Sequence, residues 1–112
     1  MQVRQNGDVL IFDVGGTVRF GPDSDRFRAE LLAAFDGGNK KILLNLAGLE
    51  RLDSSGLGAL VSAYASITRR GGMVKLLRPG PRVLELLNVT NTAGLFAVFT
   101  DERTAVASFG AL

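Results

Sequence analysis

Asn45-Leu-Ala-Gly-Leu-Glu-Arg-Leu-Asp53-Ser54-Ser55-Gly56-Leu57-Gly58 decides how this chain folds. It leaves the apolar run Ile42-Leu-Leu-Asn-Leu46, which reads as a strand buried on both faces. It enters Ser54–Arg70, where Leu57, Leu60, Val61, Tyr64 and Ile67 recur on one face of a helix. The segment is therefore a strand-to-helix connection. In open parallel sheets, ligands and partners meet a protein at the carboxyl ends of its strands.

Working outward, the same alternation repeats. Residues 1–5 read as a short strand, and Asn6-Gly7 as a hairpin turn, since both tolerate positive φ. Val9–Val14 follows as a strand apolar on both faces, broken by Gly15-Gly16. Asp23 or Ser24 then caps a helix carrying Phe27, Leu31 and Phe35, which ends at Gly37-Gly38. Arg69-Arg70 complements the dipole at the end of the Ser54 helix, and Gly71-Gly72 stops it. Met73–Leu77 is the next strand, and Pro81 opens a helix with Val83, Leu84 and Leu87. Phe96–Phe99 reads as a last strand, and Asp101 caps a closing helix with Ala105, Val106 and Phe109. The order predicts an α/β fold: a small, mainly parallel sheet with one antiparallel N-terminal hairpin and about four helices.

Composition narrows the chemistry. The 112 residues are 46% hydrophobic and 21% charged, which suits a single domain spanning 1–112 with its own core. There is no Cys and no His, so disulfides, thiol nucleophiles, Ser-His-Asp triads and His or Cys metal sites are excluded. No cofactor or metal is expected. Thirteen basic and eleven acidic residues leave +2, with Lys40-Lys41 and Arg69-Arg70 the adjacent basic pairs. These read as solvated helix ends and loop edges, with no basic stripe for nucleic acid. No apolar run reaches the ~18–20 residues of a membrane span. The first residues lack a signal peptide's apolar centre, so a cytoplasmic protein without membrane attachment is expected.

At Asp53-Ser54-Ser55, N-capping alone explains the residue types. Gly56 and Gly58 do not fit capping alone, since each costs up to ~1 kcal/mol against Ala in a helix. Glycine there suits close approach by another backbone or protein. Gly56-Leu57-Gly58 lacks a third glycine and no Gly-Lys-Ser/Thr follows, so neither nucleotide fingerprint is met. The serines have no G-x-S-x-G frame and no His base, so a serine here is a substrate rather than a nucleophile.

Leu44-Asn45-Leu46, Leu52-Asp53-Ser54-Ser55-Gly56-Leu57-Gly58 and Arg70-Gly71-Gly72 resemble a STAS domain of the bacterial anti-sigma factor antagonist type. Leu84-Glu85-Leu86-Leu87, Leu95–Phe99 and the closing helix extend the likeness over nearly the whole chain. The resemblance implies a non-enzymatic regulator that, unphosphorylated, binds an anti-sigma factor with serine kinase activity and so releases a sigma factor. It implies phosphorylation of the first serine after the Asp, here Ser54, with Ser55 as fallback, and a serine phosphatase as counterpart. Asp53, Ser54, Ser55, Gly56, Leu57 and Gly58 would face the partner, with the loops Gly15–Ser24 and Ala47–Leu52 beside them. Family members often carry an Asp three residues after the glycine ending the second strand. Counted from Gly16, that place holds Arg19, which reads either as a partner for a phosphate or, the preferred reading, as a solvated loop residue. Asp23 and Asp25 come later and read as helix caps. The alternative within the family is a STAS scaffold in a signalling assembly or a transporter subunit. A small nucleotide-binding enzyme or phosphocarrier is disfavoured by the residues already missing. Oligomeric state stays open.

Overall fold

The computed structural model describes residues 2–18 and 22–110. The elements run β1 (Gln2–Asn6), β2 (Val9–Asp13), β3 (Gly16–Val18), α1 (Pro22–Asp36), β4 (Lys41–Asn45), β5 (Leu49–Leu52), α2 (Ser54–Arg69), β6 (Met73–Leu77), α3 (Pro81–Val89), a 3-10 turn (Ala93–Leu95), β7 (Val98–Phe99) and α4 (Glu102–Ser108). The main sheet has the order β1-β2-β4-β6-β7. Only β1 and β2 pair antiparallel within it; β2-β4, β4-β6 and β6-β7 are parallel. This is the mixed α/β architecture expected from the sequence.

β4 sits at the centre, and Ile42, Leu43 and Leu44 are fully buried. Alternation sends Ile42 and Leu44, with Leu10, Phe12 and Leu76, into a core shared with α1, α2 and α3. Leu43, with Val9, Ile11 and Leu77, packs with Ala105 of α4 and with Phe109 just after it on the other side. The apolar runs are continuous because both faces are covered.

Several local expectations need correction. The hairpin turn is Gly7-Asp8, with Asn6 still paired to Val9; Gly7 alone takes positive φ (61°), which places glycine first in a two-residue turn. Asp23 and Ser24 are not caps: α1 already begins at Pro22, so both lie inside its first turn, as does Asp25. Ala47–Leu52 is not all loop, because Leu49–Leu52 forms β5, parallel to β3 in a separate two-stranded sheet. Of Phe96–Phe99, only Val98 and Phe99 are strand. Lys41 is not a solvated loop edge. It is 2% exposed, and its ammonium donates to Asp8 Oδ2 at 2.6 Å and to the carbonyl of Gly110, tying hairpin to C-terminal segment. Arg19 lies outside the described residues.

Gly72 follows α2 where no side chain fits. A Cβ there would stand 2.5 Å from Phe35 Cε1 and 2.6 Å from Ile67 Cγ2, and both side chains are buried. Gly72→Ala is expected to lower stability by about 1–3 kcal/mol through overpacking. Urea unfolding should show a lower midpoint with the slope unchanged.

Candidate functional site

The carboxyl edge of the sheet is built by matching polar ends on two buried strands. Asp13 closes β2 and Asn45 closes β4, in register as neighbours. Asn45 Nδ2 donates to Asp13 Oδ1 at 2.8 Å, while Asn45 Oδ1 accepts the Ala47 amide at 3.2 Å. The backbone adds Leu46 N–H to Leu77 O at 2.8 Å and Gly16 N–H to Gly48 O at 3.1 Å. The chain is thereby held as it leaves β4 and turns into β5.

β5 delivers Asp53 to the start of α2. Asp53 is extended (φ −88°, ψ 178°) and its Oδ1 accepts the Gly56 amide at 2.8 Å, an N-cap that satisfies one of the helix's free donors. Leu57 N–H donates to Asp53 O at 2.9 Å. With the start fixed, Leu57, Leu60, Ala63 and Ile67 point into the core. Ser54, Ser55 and Gly58 are left exposed, and Gly56 is buried.

The six residues singled out from the sequence are thus contiguous at one helix start but do different things. Asp53 caps, Gly56 and Leu57 are inside, and Ser54, Ser55 and Gly58 face outward. A Cβ on Gly58 would meet nothing within 4 Å, so packing within the chain does not require glycine there. Ser55 and Gly58 line an open groove of about 410 Å³ between α1 and α2, with Asp25, Arg28, Ala59 and Ser62. Arg28 Nε donates to Ser62 Oγ across it at 2.9 Å. A second open depression, of about 420 Å³, is lined by Arg51, Leu52, Asp53 and Arg82. Among the described residues no group of three or more Asp or Glu is placed to hold a metal. No helix among them is long and apolar enough to cross a membrane.

The STAS domain family profile matches residues 1–105. The chain belongs to the STAS domain family. A Thermotoga neapolitana protein provisionally named an anti-sigma factor antagonist is 36% identical over 62 residues, 55% of each chain. The anti-sigma F factor antagonist of Paenibacillus polymyxa is 31% identical over 65 residues, 58% of this chain and 56% of that one. The matched stretch thus spans about half the length of these curated relatives. The solved anti-sigma factor antagonist SpoIIAA in its unphosphorylated form superposes with a TM-score of 0.81 at 20% identity, covering 99% of this chain and 97% of that one. A structure titled as Bacillus SpoIIAA in the phosphorylated form gives 0.74 at 20% identity, covering 96% and 97%. At that identity the likeness is one of fold.

Sequence reasoning gave no individual role to Arg4, Asp13, Asn45, Arg51 or Arg82, although Asn45 opens the quoted stretch and Arg51 lies in the predicted Ala47–Leu52 loop. For Asp13 and Asn45 a signal existed: each ends a run of apolar residues on what must be adjacent buried strands. Arg4 then completes a network. Its guanidinium donates to Asp13 Oδ2 at 2.7 Å and to Glu102 Oε1 at 2.6 Å, linking β1, β2 and α4. Arg4 holds the Asp13 and Glu102 carboxyls below their ordinary range, partly opposed by burial, with Asn45 and Asn6 assisting respectively. A depressed carboxylate stabilises the fold above its unfolded pKa, and that stability is lost as pH falls through the folded value. Arg4→Gln should therefore cost about 1 kcal/mol near neutrality, given how exposed the pair is. The gap between variant and parent should shrink as pH falls below about 4, measured by urea midpoints from pH 7 to pH 3.

Proposed function

We propose that this chain is an anti-sigma factor antagonist. Acting as one cytoplasmic domain, it binds an anti-sigma factor with serine kinase activity while Ser54 is unmodified, and a sigma factor is released. Phosphorylation of Ser54 by that kinase ends the interaction, and a serine phosphatase restores it. The kinase supplies ATP and the catalytic base; this chain supplies a hydroxyl and a docking face, and makes no product of its own.

The observation that carries this reading is the exposure of Ser54 on the first turn of a helix whose next apolar residue, Leu57, is buried. A kinase needs an accessible hydroxyl, and here the Asp53 cap holds the backbone that presents it. Family membership over 1–105 and the names of the partial relatives support the same reading. Gly58 supports it physically, since its missing side chain is not needed for packing and leaves room for a partner backbone.

Incubation with radiolabelled ATP and a serine-kinase anti-sigma factor from the same genome tests the assignment. Ser54→Ala is expected to abolish phosphate incorporation, and Ser55→Ala to leave most of it. Phosphate located on Ser55 or on a threonine by mass spectrometry would overturn the acceptor. Labelling or ATP hydrolysis by the chain alone would make it an enzyme instead.

A further inference from the structure

Ser54 and Ser55 are neighbours in sequence but border different surroundings. Ser55 lines the α1–α2 groove, where Asp25 would repel an added phosphate and Arg28 is already engaged by Ser62. Ser54 directly follows Asp53, which lines the other depression. Ser54 is itself exposed on the first turn of α2, one residue along the chain from that lining. Two arginines line the depression from separate elements, Arg51 from β5 and Arg82 from the first turn of α3. Among the described residues neither guanidinium makes an ion pair or hydrogen bond.

Two unpaired cations lining one hollow are an arrangement that a dianion satisfies. Guanidinium groups favour phosphate because their N–H forks match its oxygens in pairs. We infer that Arg51 and Arg82 receive the phosphate of phosphorylated Ser54, folding the modified side chain onto the protein's own surface. The inference rests on the proposed modification of Ser54 and names the device that reads it. Two nearby charges oppose it. The Asp53 carboxylate lies in the same depression but is turned to the Gly56 amide. Glu50 shares an adjoining hollow with Arg82 without forming an ion pair. The consequence is regulatory. Phosphorylation both adds negative charge and withdraws two cations from the face beside Ser54.

The test needs no kinase. Phosphoserine is installed at position 54 during translation, and the second ionisation of its phosphate is followed by 31P NMR in the full chain. A free phosphoserine ionises near pH 6. Flanking arginines favour the dianion, so the midpoint in the parent should fall by roughly half a unit to one unit. Arg51→Gln and Arg82→Gln should each return part of that shift, and the pair together most of it, with the amide spectrum otherwise preserved. Phosphoserine at position 55, on the same helix turn, should give a midpoint that ignores both substitutions. A midpoint at 54 that neither glutamine moves, or an equal response from 55, would overturn the inference. A kinase that ignores Ser54 would instead overturn the proposed function and leave this titration as it is.

Discussion

Burial of β4 on both faces is the constraint on which this structure depends. Ile42, Leu43 and Leu44 have no exposed surface, so apolar layers must lie above and below the strand. α1, α2 and α3 supply one layer and α4 the other. Its neighbours β2 and β6 run parallel to it, so tight hairpins cannot join them and crossovers that include helices do. Those crossovers bring the β4–β5–α2 and β6–α3 connections to the same carboxyl edge. Ser54 and Arg82 lie toward one edge because β4 and β6 run parallel, each followed by its crossover.

Within that edge, polar groups fix the backbone and leave side chains free. Asn45 bridges Asp13 and the Ala47 amide, and Asp53 holds the Gly56 amide. Losing such a cap typically costs ~1 kcal/mol, a sizeable share of the margin of a small domain. Because these bonds use the carboxylate and amide groups, the hydroxyl of exposed Ser54 is not required for the fold. A group can be added there without disturbing the core beneath Leu57.

The main features of the fold were legible because periodicity and punctuation agree. Leu57, Leu60 and Ile67 repeat on one helix face and are buried, Asp53 caps, and Pro81 opens α3 as its geometry favours. What escaped was short or depended on distant partners. β3 and β5 hold three and four residues, and Glu50 and Arg51 interrupt any apolar alternation, so only their pairing identifies them. Lys41 carries no local sign of burial; its partners Asp8 and Gly110 lie 33 and 69 residues away. Asp23 and Ser24 are good caps by type, but Pro22 begins the helix before them. Of the candidate site, the Asp53–Gly58 segment could be read directly. Arg51 and Arg82 could not, because β5 and α3 meet only in three dimensions.

Under the proposed function, phosphate at Ser54 changes an interface and not the fold. At the start of α2 the added charge meets the positive end of the helix dipole, favourable by about 0.3–1 kcal/mol. Against a docked partner it must instead be desolvated or displaced, which costs several times more. Calorimetric titration of the anti-sigma factor kinase into unmodified chain, and into chain carrying phosphoserine at 54, measures the difference directly once thermal melts of both are in hand. Melting points within a few degrees of each other are expected, with an affinity lower by roughly ten- to thousandfold for the modified chain. Equal affinities, or a modified chain that no longer melts cooperatively, would contradict the proposal.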